Sequence, residues 1–239
     1  MENNILFISV FNLGCIEIAE NHILSMIKSG IKNYRAYVCD KESFDILTLK
    51  GYNVIQYDEF EIKDKMDFGT SNFNNLSFYR YKIINQLLKE NNIVWYLDVD
   101  TVVLYDLNLV VKANIANSYD LMMQNDINMP CSGCVLYFPN NKTIELTEHI
   151  YNSKTSSEND QIILRNYLRN DNIRLNLLPI EQFPNGLLYF NDLHNHPYYR
   201  NFQIQFKKSQ SQVYFVHANF MVGINTKINA LKSKNLWYL

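Results

Sequence analysis

Apolar runs and helical repeats alternate along the first hundred residues, and this alternation most limits what the chain can fold into. Ile5 to Phe11 is a short unbroken apolar run, the pattern of a strand buried on both faces. Ile16, Ala19, Ile23, Met26 and Ile27 then recur at helical spacing, and Gly30 marks the stop. Tyr34 to Cys39 reads as a second strand ending at Asp40. Glu42 to Lys50 reads as a short helix closed by Gly51, and Val54 to Tyr57 as a third strand. Residues 58–76 are polar and mixed, the composition of a loop over one end of a sheet. Phe78, Tyr81, Ile84, Leu87 and Leu88 mark another helix, and Ile93 to Leu97 a fourth strand. Such alternation predicts an α/β fold: a mostly parallel central sheet with right-handed crossovers, flanked by helices.

Later segments are shorter. Leu121 to Met123, Val135 to Phe138 and Val213 to Val216 read as strands. Ile144 to Tyr151, Gln161 to Leu168 and residues 226–235 read as helices. No linker or repeat divides the chain, so residues 1–239 are expected to form one domain. At 47% hydrophobic residues the chain can bury a large core, which excludes disorder. A formal net charge of −2 argues against a nucleic-acid binder. No apolar run approaches the about 18 residues of a membrane span. Ile5 to Phe11 lacks a preceding basic residue and a cleavage site, so it reads as a core strand rather than a signal peptide. Four cysteines are too few for a disulfide scaffold, and reduced thiols in the cytoplasm are the expectation.

The strongest chemical signal is Trp95-Tyr96-Leu97-Asp98-Val99-Asp100-Thr101-Val102-Val103. Two carboxylates follow a buried strand at its carboxyl end, where open α/β sheets bind ligands. Oxygen ligands there suit Mg²⁺ or Mn²⁺, which can bridge to phosphate oxygens. A solvated turn is the bland alternative. Two enzyme classes share the pattern. In a metal-dependent glycosyltransferase the pair holds a cation on a nucleotide diphosphate. In a haloacid-dehalogenase-type phosphatase it supplies a nucleophile and an acid–base residue, and Val102 satisfies that motif too. The phosphatase motif belongs on the first core strand, however, whereas here three strand–helix units precede it.

Anchored on Asp98 and Asp100, the chain resembles retaining transferases of the GT-A fold. It is most similar to the nucleotide-diphospho-sugar transferase family (glycosyltransferase family seventy-seven), and more distantly to the glycogenin-like family eight. The resemblance runs from about residue 4 to 238. It rests on ordered pieces: Val10-Phe11-Asn12, Phe78-Tyr79-Arg80-Tyr81-Lys82, YLDVDTVVL at 96–104, SGCVLYFP at 132–139, Asn159-Asp160-Gln161, Phe183-Pro184-Asn185-Gly186, and VHANFMVGINTKINALKSKNLW at 216–237.

This resemblance implies transfer of a sugar, with retention, from a nucleotide donor (a UDP-sugar) to a glycan or protein hydroxyl. It implies a Mn²⁺ or Mg²⁺ ion held by Asp98, Asp100 and His217. Val10, Phe11, Asn12 and Val99 are implied at the nucleoside, and Gly223 and Lys227 at the diphosphate. Gly133 is implied at the sugar pocket, with Cys131 standing where relatives carry Asn. Asp160 and Gln161, with Asp126 as a second acidic candidate, are implied at the anomeric carbon. A basic residue on the helix before the metal strand is implied to reach the donor. Lys82 is preferred over Arg80, since residues two apart on a helix do not share a face.

Bland readings stand beside these. His217 reads equally as a packed histidine, Asn12 and Asp160 as helix-start residues, and Lys227 as a solvated helix charge. Cys131-Ser132-Gly133-Cys134 precedes a strand rather than a helix and has no matching partners, so neither a redox pair nor a zinc site is expected. His194 and His196 read as surface histidines. A catalytically inactive domain that binds a nucleotide sugar or glycan is the non-enzymatic alternative.

Overall fold

The computed structural model describes residues 4–57, 71–153, 159–170 and 172–239. The first half follows the alternation: β1 (Ile5–Phe11), α1 (Ile16–Lys28), β2 (Tyr34–Val38), α2 (Lys41–Leu49), β3 (Val54–Gln56), α3 (Ser71–Lys89) and β4 (Ile93–Leu97). The second half holds β5 (Thr101–Val103), α4 (Asn108–Asn114), β6 (Leu121–Asn125), β7 (Pro130–Tyr137), α5 (Asn141–Asn152) and α6 (Asp160–Asn170). It ends with β8 (Leu175–Leu178), α7 (Gly186–Tyr189), α8 (Pro197–Lys208), β9 (Phe215–His217) and α9 (Ile224–Ser233).

Seven strands form one sheet in the order β3-β2-β1-β4-β7-β6-β8. The pairs β1–β2, β1–β4, β2–β3 and β6–β8 are parallel, and β7 runs antiparallel to both β4 and β6. The reversal has a local cause. Only residues 126–129 separate β6 from β7, too few for a crossover, and Ile127 and Asn128 both adopt positive φ (57° and 65°) to turn the chain back as a hairpin.

Alternation along β4 sends side chains to two cores. Trp95 and Leu97 join Phe7, Ile23 and Met26 beneath α1, and Trp95 stacks on Phe7 at 5.8 Å. Val94 and Tyr96 join Phe78, Tyr81 and Ile84 beneath α3.

β5 and β9 form a separate antiparallel ribbon that pairs Thr101 with His217. Buried His22 ties this ribbon to the main sheet. Its Nδ1 donates to the Thr101 carbonyl (2.6 Å), and its Nε2 accepts from the Ser9 hydroxyl (2.8 Å). Burial brings its pKa down to about 4, so the ring is neutral at pH 7.

Several boundaries differ from the sequence reading. α3 starts at Ser71, ahead of Phe78, and residues 58–70 of the expected loop lie outside the described residues. The last strand is shifted, so that His217 belongs to it instead of following it. β5, β8, α4, α7 and α8 had no sequence signal of their own. β5 and β8 have three and four residues, too short to show a period.

Candidate active site

Asp98 follows β4 and Asp100 precedes β5, so the pair occupies a tight turn, with the Thr101 N–H donating to the Asp98 carbonyl (3.0 Å). The ribbon register brings His217 beside them, and the Ala218 N–H donates to the Asp100 carbonyl (2.9 Å). His217 Nε2 lies 3.2 Å from Asp100 Oδ1 and 3.8 Å from Asp98 Oδ2. One ligand atom from each of the three residues falls within 4.8 Å of the others. Two carboxylates and an imidazole are a donor set that suits Mn²⁺ or Mg²⁺.

Gly133 on β7 makes this convergence possible. Its N-terminal neighbours lead into the cleft, and its carbonyl accepts from the Asp98 N–H (2.7 Å). A Cβ here would lie 2.2 Å from Asp98 Oδ2 and 2.9 Å from His217 Cε1. Gly133→Ala is therefore expected to displace both side chains, costing about 1–3 kcal/mol as overpacking does. Mn²⁺ titration and thermal melting of that variant check this; unchanged metal affinity would separate Gly133 from the site.

Cations frame the acidic pair. Lys227 Nζ donates to Asp100 Oδ2 (2.6 Å) and Arg80 Nη1 to Asp98 Oδ1 (3.1 Å). Arg80 Nη2 also pairs with Asp160 Oδ2, which accepts from the Tyr81 hydroxyl too (3.0 Å). The Tyr96 hydroxyl donates to Asp98 Oδ1 (2.7 Å), and the Arg80 guanidinium lies 4.5 Å from the centre of the Tyr96 ring. Burial alone would raise the Asp100 carboxyl, but Lys227 and His217 outweigh it and hold the group well below the usual range. Asp98 moves the other way: burial raises it, Arg80 opposes, and the like charge of Asp100 adds to the rise. Burial disfavours charge on His217, yet the Asp100 carboxylate beside Nε2 raises its pKa well above that of an ordinary histidine.

A cleft of about 550 Å³ opens over this cluster. Val10, Phe11, Arg80, Asp98, Val99, Asp100, Asp126, Gly133, Asp160, Gln161, His217, Gly223 and Lys227 all line it. Two expected residues do not. Asn12 is wholly buried beneath the cleft, where it starts a short 3-10 turn. Lys82 points away, its ammonium 5.8 Å from the centre of the Tyr151 ring, and Arg80 takes the inward position instead. Residues two apart on α3 diverge as expected, and of the two it is Arg80, not the preferred Lys82, that lines the cleft. Glycine at position 223 has its own reason: φ is +86° there, where the chain turns into α9.

Side chains that no motif singled out complete the site. Asn219 Nδ2 donates to both oxygens of Asp126 (3.0 and 3.2 Å), and Asn219 Oδ1 accepts from the Gly186 N–H (2.9 Å). Gln124 touches His217 from behind. Its signal was a polar residue closing the apolar run Leu121-Met122-Met123. Cys131 and Cys134 are free and buried, and burial pushes both thiols up. Their sulfurs lie 3.9 and 3.5 Å from His217 Nδ1. Asp40 caps α2, accepting from the Ser43 N–H (2.7 Å). Exposed His196 starts α8, accepting from the Tyr198 N–H (3.3 Å).

The site thus sits in an acidic cleft at the carboxyl end of β4, in an α/β sheet with one antiparallel strand. The chain belongs to the nucleotide-diphospho-sugar transferase family, whose description matches residues 29–231. It is 25% identical over 175 residues to the UDP-galactose:fucoside alpha-3-galactosyltransferase of Dictyostelium discoideum. That match takes in 65% of this chain and spans a quarter (25%) of the relative's length. Among solved structures, the galactosyltransferase LgtC, in complex with donor and acceptor sugar analogues, superposes with a TM-score of 0.60 at 13% identity. That superposition covers 97% of this chain and 95% of LgtC. The glycosyltransferase GlyE of Streptococcus pneumoniae superposes at 0.57 with 15% identity, covering 99% of this chain and 65% of its own. The fold is thus the GT-A glycosyltransferase fold. Among the described residues, no helix is long and apolar enough to cross a membrane.

Proposed function

We propose that this chain transfers a sugar, with retention at the anomeric carbon, from a UDP-sugar to an acceptor hydroxyl. The observation that carries the reading is the convergence of Asp98, Asp100 and His217 at the floor of one cleft that also holds Arg80, Lys227, Asp160 and Gln161. Asp98, Asp100 and His217 would hold a Mn²⁺ or Mg²⁺ ion, which when bound supplies charge stabilisation to a departing diphosphate. Lys227 and the α9 N-terminus at Gly223 add positive potential on the same side.

At the sugar end, Gln161 Oε1 accepts from the Ser132 N–H (3.2 Å) and from its hydroxyl (3.3 Å). This fixes the amide's oxygen and leaves its NH₂ as the donor for a ligand. Asp126 and Asp160 are both engaged by donors, Asp126 by Asn219 and Asp160 by Arg80 and Tyr81. Donors of this kind lower a carboxylate's nucleophilicity, which favours attack on the leaving group's own face. In that pathway the departing phosphate accepts the acceptor's proton. The phosphatase reading is disfavoured, because Arg80 and Tyr96 already hold Asp98, the nucleophile it requires.

Incubation with a panel of nucleotide sugars and Mn²⁺ tests the proposal. Slow, metal-dependent release of nucleoside diphosphate, with the α-anomer of the sugar appearing first in proton NMR, is expected for an α-linked donor. Phosphate release from simple monoesters, or nucleotide binding with no turnover for any donor and acceptor, would overturn it.

A further inference from the structure

Gln124 lies wholly buried on β6, one side chain behind the proposed metal ligands. Its Nε2 donates to two backbone carbonyls, Phe183 (3.2 Å) and Pro184 (3.1 Å). Carbonyl oxygens only accept, so the amide's nitrogen end must face them and its oxygen end must face the other way. That oxygen sits 2.7 Å from His217 Nδ1. An amide oxygen is also purely an acceptor, so Nδ1 must carry a proton. When a cation replaces the second ring proton, the lone pair then falls on Nε2, the nitrogen turned toward Asp98 and Asp100.

We infer that Gln124 is the positioning residue that sets the tautomer and orientation of His217 for cation binding; the inference rests on the metal reading above. The surroundings show why a dedicated acceptor is needed. The other groups near Nδ1 are the Cys131 and Cys134 thiols, at 3.9 and 3.5 Å. A thiol can donate to an unprotonated Nδ1, which would move the ring proton to Nε2 and block the ligand position. The shorter bond to Gln124 decides against that tautomer. The anchor is rigid, because the Pro184 carbonyl that holds Gln124 also accepts from the His217 backbone N–H (3.2 Å).

Two measurements test this. First, nitrogen-15 NMR of the Mg²⁺-loaded wild-type protein, with the His217 signals identified by their absence in His217→Ala, is expected to show the ring proton on Nδ1. A proton on Nε2 overturns the inference without any question of misfolding. Second, Mn²⁺ affinity is read from the EPR signal of the free ion. Gln124→Leu, which removes the acceptor, is expected to lose about 10- to 100-fold in affinity, the usual cost of losing such an outer partner. Gln124→Glu keeps an acceptor oxygen for Nδ1 but turns an oxygen in place of NH₂ toward the Phe183 and Pro184 carbonyls, so it should recover only part of that loss. Wild-type affinity in Gln124→Leu, alongside lost affinity in His217→Ala, overturns the role of Gln124 while the metal site stands. Equal affinity in wild type and His217→Ala overturns the metal reading, and this inference with it.

Discussion

Asp98→Asn is expected to lower metal-dependent turnover by a factor on the order of 10² to 10³, the scale of losing one preorganised electrostatic contact, and to leave the melting temperature nearly unchanged. Its side chain is about one-third exposed (35%), and its charge is opposed by the neighbouring Asp100. Removing it relieves that repulsion, and Arg80 keeps its partner Asp160. Asp100→Asn is expected to lose turnover equally but also to melt lower, because Lys227 and His217 both lose a carboxylate partner. The pH dependence of the second effect has a definite sign. The folded-state pKa of Asp100 lies below its unfolded value, so its stabilisation is present above the unfolded carboxylate pKa of about 3.9 and fades as pH falls below it. The melting gap between wild type and Asp100→Asn should therefore narrow below about pH 4. Calorimetry across pH, with Mn²⁺ titration and turnover on both variants, checks this. Equal melting losses in the two variants would sink the assignment of separate roles.

Asp160→Ala is expected to destabilise the protein by about 3–5 kcal/mol, because it leaves Arg80 buried without its principal counter-charge. Both side chains are 6% exposed, so water cannot compensate. Tyr81 loses its acceptor as well. At this chain length, that corresponds to roughly 6–20 °C in melting temperature. Asp160→Asn, which keeps an acceptor oxygen for Tyr81, should cost less. Arg80→Met combined with Asp160→Ala should cost less than the sum of the two single changes, since neither charge is then left alone. Chemical denaturation of the four proteins measures this coupling, and strict additivity would refute it. The expectation differs from a helix-start role for Asp160. Asn159 does that work, its Oδ1 accepting from the Ile162 N–H (3.0 Å), and the loss expected from removing such a cap is only about 1 kcal/mol.

These residues also mark how far the chain could be read in one dimension. β1 to β4 and their helices were legible, because each buried strand shows as an apolar run and each helix as a repeat of three to four residues. Asp98 and Asp100 were legible for the same reason: two carboxylates directly after a buried run mark a strand's carboxyl end. Asp160-Gln161 and His217 were visible as candidates only through family resemblance, since a single acidic or histidine residue has no periodic signature.

Other features depended on contacts between distant segments. The reversal of β7 follows from a four-residue connection whose backbone adopts positive φ at Ile127 and Asn128; Asn favours such a turn, but a β-branched Ile does not advertise one. The inward turn of Arg80 instead of Lys82 depends on where Asp98 and Asp160 lie, 18 and 80 positions away. The partnership of Gln124 with His217 spans 93 positions and passes through a three-residue ribbon too short to carry a pattern.

By itself, then, the sequence determined the layered α/β architecture and the acidic end of β4, because burial imposes a period on neighbouring residues and that period can be read locally. Only the tertiary structure decided which cation faces the acids, which glycine makes room for them and which amide orients the histidine. Those choices depend on distance and direction between side chains far apart in the chain, and no local period records them.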